Sequence, residues 1–133
     1  MKNKILFVDD SKTILALVSG LFGSNYQLVC KQDAKEALNA IKQDFIPDLI
    51  ITDLNMPDMN GYEFVRKLKS DQNLEKIPII VLSGIGESAE RLKLYKMGVD
   101  EYLLKPFNPE ELLVRVEKIL NRHSQLKLEF AEA

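Results

Sequence analysis

Asp9, Asp10 and Asp53, with Ser83 and Lys105, are the residues of this chain whose types could do chemistry as a set. Each closely follows a short apolar run: ILFV precedes Asp9, LIIT precedes Asp53, IIVL precedes Ser83 and YLL precedes Lys105. Carboxylates brought to ~4 Å of one another repel by about 4 kcal/mol per pair at an effective dielectric of about 20. Such a cluster calls for a cation. The donors are oxygens, with no His or Cys among them, so the hard ion Mg2+ is favoured over zinc, keeping several waters and leaving positions for phosphate oxygens. Lys105 adds a fixed positive charge and Ser83 a hydroxyl donor. Phosphoryl transfer needs such a set: neutralised phosphate oxygens beside a positioned carboxylate nucleophile. Singly, each residue has an ordinary reading: Asp9-Asp10 as acids at a helix N-terminus, Asp53 and Ser83 as turn residues, Lys105 as a solvated strand end. Their joint placement at strand ends argues against four such coincidences.

The elements that must position them alternate along the chain. Lys4 to Val8 reads as a strand, and Ser11 can cap a helix with Ile14, Leu15, Val18 and Leu21 at helical spacing, stopping near Gly23. Tyr26 to Cys30 is a second strand. Asp33 with Glu36 three residues later forms a capping-box-like start, after which Ala34, Ala37, Leu38 and Ile41 face inward until Pro47 ends the unit. Asp48 to Thr52 is apolar enough to be buried on both faces. It leads into Asp53, and then Asn55, Pro57, Asp58, Asn60 and Gly61 form a loop that cannot continue a strand. A third helix covers Tyr62 to Leu68. Ile79 to Leu82 is the most continuous apolar strand. Ser88 can cap a fourth helix that stops at Gly98. Tyr102 to Leu104 is a short strand, and Asn108-Pro109-Glu110-Glu111 opens the last helix with a cap, a proline at its first position and acids in its first turn.

Five strands alternating with five helices at these spacings predict a doubly wound α/β fold, a five-stranded parallel sheet with helices on both faces. In such a sheet the C-terminal ends of the strands share one edge, where ligands bind. The 133 residues make one domain, large enough for a core without disulfides. The formal charge of -2 gives no general field for nucleic acid, so no direct nucleic-acid binding is expected. No apolar run is long enough to span a membrane, and none is expected as a partner. Cys30 is the only cysteine, which excludes an internal disulfide and fits a cytoplasmic setting.

The segments FVDDS, IITDLNMPDMNGYEF, VLSG and DEYLLKPF, in this order and spacing, resemble the receiver domains of two-component response regulators, with the single-domain chemotaxis regulator as the nearest architecture. The resemblance covers about residues 3 to 122. It implies the flavodoxin-like strand order 2-1-3-4-5. Asp53 stands at the phosphoacceptor position. Asp10, Asp53 and the backbone carbonyl of Asn55 stand where Mg2+ is bound directly, with Asp9 acting largely through water. Ser83 is similar to the residue that hydrogen-bonds the phosphoryl group, Lys105 to the ion-pairing lysine and Tyr102 to the aromatic switch, which would turn inward on phosphorylation. The partner implied is a histidine kinase or histidine phosphotransfer protein that supplies the phosphoryl group. A downstream protein target would read the face of the fourth helix, fifth strand and fifth helix. Such a domain catalyses its own modification and is not a conventional enzyme. A cis Lys105-Pro106 bond is also implied. Asn55 and Ile85 stand where residues flank the path of the attacking water; Asn55 could orient that water, but the apolar Ile85 could obstruct it, so slow dephosphorylation is expected.

Three other readings compete. A magnesium-dependent phosphohydrolase of the haloacid-dehalogenase type would want an acid where Asn55 stands, and a lid domain. A flavodoxin-like carrier would place its phosphate loop at Asp9-Asp10-Ser11, where two carboxylates oppose FMN. A phosphorylation-independent binding module has no need of the five chemical residues. The tail is expected to differ from the family: Leu112, Val116, Ile119, His123, Leu126 and Phe130 are spaced by 4, 3, 4, 3 and 4, the seam spacing of a coiled coil. Residues 1–122 are therefore read as the receiver and 123–133 as a helical extension or linker. That extension would pair with a second copy to form a homodimer, or lead to an output domain missing from the chain.

Overall fold

The computed structural model describes residues 2–84 and 86–132, with the backbone alone for 127–132. The strands are β1 (Lys4–Val8), β2 (Gln27–Lys31), β3 (Leu49–Asp53), β4 (Ile79–Ser83) and β5 (Glu101–Leu104). Between and after them lie α1 (Lys12–Phe22), α2 (Ala34–Lys42), α3 (Gly61–Ser70), α4 (Ser88–Lys96) and α5 (Pro109–Glu132). All pairings are parallel and the order is β2-β1-β3-β4-β5. Among the described residues no helix is long and apolar enough to cross a membrane.

The apolar strands divide their side chains between two cores by the period of two. Leu6, Val8, Ile50, Ile79 and Val81 pack with Ala37, Ile41, Phe64, Val65 and Leu68 of α2 and α3. Ile5, Phe7, Leu49, Ile51, Ile80 and Leu82 pack with Val18 and Phe22 of α1 and Leu112, Val116 and Ile119 of α5. Every residue of β3 and β4 is buried, the signature of central parallel strands covered on both faces.

Carboxylates occur at both edges of the sheet, but those at its N-terminal edge are already engaged by backbone. Asp48 accepts the Lys4 N–H at 2.7 Å, and Asp100 accepts the Ile79 N–H at 2.9 Å. They close the start of a strand and leave the opposite edge to carry chemistry.

The helix starts largely follow the expected caps. Ser11, Asp33 and Asn108 accept N–H groups from Ile14, Glu36 and Glu110 respectively. The Glu36 side chain reaches back to the Gln32 N–H rather than to that of Asp33, so the capping box is displaced by one residue. Ile14, Leu15 and Leu21 of α1 pack partly buried against the second core beside buried Val18, as expected, and Phe22 joins them with its ring edge-on to Tyr26 at 5.7 Å. One expectation is corrected. Ser88 is the first residue of α4 rather than its cap; Glu87 holds the cap position and makes no side-chain capping bond. The Lys105-Pro106 bond is cis.

The loop between β3 and α3 is clamped at both ends. Asp58 accepts the Lys35 N–H at 2.9 Å and the Ala34 N–H at 3.4 Å, tying the loop to the start of α2. Gly61 donates its N–H to the Leu54 carbonyl at 2.8 Å, and a Cβ on Gly61 would lie 2.6 Å from Leu54 Cα and 2.9 Å from the Asp53 carbonyl oxygen. Backbone cannot yield as a flexible side chain would. Gly61→Ala should therefore destabilise the fold by about 2 kcal/mol, as overpacking does. Gly20→Ala on the exposed face of α1, where nothing lies within 4 Å, should stabilise it by about 0.5–1 kcal/mol through helix propensity. Urea unfolding of the two variants tests the pair of signs.

Candidate functional site

Strand register brings the acidic residues together. Val8 of β1 pairs with Thr52 of β3, so Asp9, the next residue, lies beside Asp53 at the end of its strand. Asp53 is in turn registered on Leu82 of β4, and the Lys105 N–H bonds the Ser83 carbonyl at 2.8 Å, bringing the end of β5 alongside. Asp9, Asp10 and Asp53 each present a carboxylate oxygen within 4.8 Å of the others. Asp9 is fully buried, Asp53 is 4% exposed and Asp10 faces solvent.

Lys105 joins the two buried acids. Its Nζ lies 2.8 Å from Asp9 Oδ2 and 3.2 Å from Asp53 Oδ2. The remaining oxygens take backbone donors: Asp9 Oδ1 accepts the Ser11 N–H at 2.9 Å, and Asp53 Oδ1 accepts the Asn55 N–H at 3.3 Å. Burial pushes the Asp53 carboxyl above its ordinary pKa; Lys105 pulls it down, Asp9 pushes it up again, and the net displacement is upward. Burial alone would lower the Lys105 pKa, but its hydrogen bond and charge interaction with Asp9, with Asp53 adding, carry it above the usual lysine value. The lysine is thus held as a cation while Asp53 bears an ionic charge in an unfavourable place.

Ser83 and Tyr102 complete the edge on the α4 side. The Ser83 hydroxyl donates to Glu90 Oε1 at 2.7 Å, and the Tyr102 hydroxyl donates to the same oxygen at 3.3 Å. The Tyr102 hydroxyl is pushed above its ordinary pKa by burial, against a Ser83 hydrogen bond and with Glu90 reinforcing the shift. Tyr102 is 7% exposed, so its side chain lies inward in this structure. Glu90 is the residue that sequence reading missed; an acid in the first turn of a helix is commonplace there, and nothing in its spacing marks it out. Ile85 lies outside the described residues, and so does the side chain of Phe130.

The family model described as "Response regulator receiver domain" matches residues 5–117. The chain belongs to this family. The receiver is 34% identical to the chemotaxis response regulator CheY4 of Vibrio cholerae, with a TM-score of 0.81 over 90% of this chain and 99% of that one. It is 32% identical over 130 residues to the phosphate regulon transcriptional regulatory protein PhoB of Escherichia coli strain K12, covering 97% of this chain and 56% of PhoB. It is 33% identical over 132 residues to histidine kinase P4 of Formosa agariphila, covering 99% of this chain and 10% of the kinase. The chain thus spans about half the length of the first of these two curated relatives and a tenth of the second. The chain shares its receiver fold with the CheY4 structure.

Removing one charge from the receiver's repelling cluster should relieve it. Asp53→Asn is expected to raise Tm in metal-free buffer by a few degrees, the response of a domain this size to ~1 kcal/mol. Lys105→Ala strands two buried carboxylates and should cost about 2 kcal/mol, less than a fully buried pair because the lysine is partly exposed. Thermal melts of both variants in chelator check the opposite signs.

Proposed function

We propose that this receiver accepts a phosphoryl group on Asp53 from a phosphohistidine of a histidine kinase or histidine phosphotransfer protein. The observation that carries the proposal is the Lys105 ammonium shared between buried Asp9 and Asp53, within a cluster of three carboxylates. The donor set is all oxygen and fits Mg2+. Asp10 and Asp53 would hold the ion, with the Asn55 carbonyl, while Asp9 would act largely through water. Bound there, Mg2+ would supply charge neutralisation for the phosphate oxygens.

In the transfer, an Asp53 carboxylate oxygen forms the new bond to phosphorus. The phosphorus–nitrogen bond of the donor breaks, its electron pair leaving on the imidazole nitrogen, which takes up a proton. Lys105 balances charge on the acyl phosphate, and Ser83 stands one strand away as a hydroxyl donor to it. The product is the modified receiver itself, so the chain is not a conventional enzyme. The added charge would bias the face of α4, β5 and α5 and alter its affinity for a downstream protein. Leu92, Tyr95, Leu104 and Val114 on those elements are all more than 40% exposed, apolar surface that supports a protein-binding role.

For the tail we propose the division into a receiver at 1–122 and an extension at 123–133 that pairs with a second copy or leads to an output domain. It is supported by the continuation of α5 to Glu132 and by Leu126, 43% exposed, beyond the buried stripe of Leu112, Val116 and Ile119. Light scattering before and after phosphorylation tests the pairing. The proposed setting is cytoplasmic, where such kinases present their phosphohistidine.

Mg2+ at tenfold excess over its Kd should stabilise the wild type by about 1.4 kcal/mol, seen as a rise in Tm. Incubation with acetyl phosphate and Mg2+ should add one phosphoryl group by intact mass, and none to Asp53→Asn. Undiminished labelling of that variant, or a Tm indifferent to Mg2+, would contradict the assignment.

A further inference from the structure

We propose that Glu90 is a positioning residue that holds the Ser83 hydroxyl away from the acceptor and so sets how readily the receiver commits to its phosphorylated state. The inference rests on the reading of Asp53 as phosphoacceptor and adds a residue to it. A serine hydroxyl carries one proton. Here the hydroxyl donates to Glu90 Oε1 at 2.7 Å, a short bond to a carboxylate oxygen. Donation to a phosphoryl oxygen on Asp53 therefore requires the bond to Glu90 to break. The two acceptors compete for one donor.

The placement of Glu90 gives the competition a mechanical outlet. Glu90 lies in the first turn of α4, and of the nine residues of that helix only Leu94 is buried. Lys93, three positions on and on the same face, places its ammonium 4.3 Å from the centre of the Tyr62 ring. The helix start lacks a side-chain cap, and the bonds from Ser83 and Tyr102 to Glu90 tie its first turn to β4 and β5. Withdrawal of Ser83 removes one of those two bonds. Glu90 is left to Tyr102, and α4 loses part of its tie to β4. The choice made by one proton at the end of β4 is thereby passed to the helix that borders the protein-binding face.

The test uses beryllofluoride with Mg2+ as the phosphoryl probe, its affinity for the full chain read by fluorine NMR or calorimetry. Glu90→Ala should tighten binding about tenfold, equivalent to ~1.4 kcal/mol. Glu90→Gln, which keeps an acceptor oxygen without the charge, should fall between Glu90→Ala and wild type. Loss of a nearby negative charge could tighten anion binding by itself, so the cycle is closed in a Ser83→Ala background. There Glu90→Ala should have no effect, because no hydroxyl remains to be held. Unchanged or weakened affinity in Glu90→Ala overturns the proposal, as does an equal gain in the Ser83→Ala background. Failure of the reading beneath it looks different: the wild type itself would then bind no beryllofluoride, or Asp53→Asn would bind it as well as wild type.

Discussion

The ammonium of Lys105 between Asp9 and Asp53 is the interaction on which the rest of the site depends. Two buried carboxylates at adjacent strand ends would repel strongly, and neither has enough backbone donors to balance its charge. The lysine resolves this by touching both, at 2.8 and 3.2 Å. It does so from the far side of the sheet edge, since β5 lies beyond β4, and its main chain is pinned to Ser83. The cost of holding ionised Asp53 in a buried position is offset only in part, as its raised pKa shows. A buried carboxylate beside a solvent-facing acid at a strand end is a place where a cation can settle.

The fold serves this constraint through register. A parallel sheet aligns like ends of its strands, and burial of β3 and β4 on both faces forbids a one-residue slip that would exchange the two cores. Gly61 and Asp58 then hold the loop after Asp53 in one path, the first by close backbone approach and the second by capping α2. Local chemistry and global topology agree here, which is the condition for a single well-defined site.

Much of this was legible in the sequence because apolar runs ending in polar residues encode both strand burial and strand ends. ILFV before Asp9 and LIIT before Asp53 place those carboxylates at one edge once the fold is known to be parallel. The caps at Ser11, Asp33 and Asn108 were legible for the same reason, as local hydrogen bonds between near neighbours. What escaped were contacts decided by tertiary packing. Phe22, outside the spacing of Ile14, Leu15, Val18 and Leu21, is fully buried among side chains of β1 and β3. Glu90 gains its importance only from Ser83 and Tyr102, seven positions before it and twelve after.

The alternatives weighed on sequence alone meet specific obstacles in the structure. A dehalogenase-like phosphohydrolase would use a side-chain acid two residues beyond the nucleophile, where Asn55 instead gives its backbone N–H to Asp53. A binding module indifferent to phosphorylation would not account for a lysine that bridges two buried carboxylates. The central claim is that Asp53, alone among the clustered acids, forms the acyl phosphate. Its most direct test is borohydride reduction of the receiver after reaction with a small-molecule phosphodonor and Mg2+, followed by peptide mass mapping. Reduction of an aspartyl phosphate leaves homoserine, and the account predicts it at position 53 alone. Homoserine at position 9 or 10, or a stable phosphate on His123 with position 53 unmodified, would contradict it.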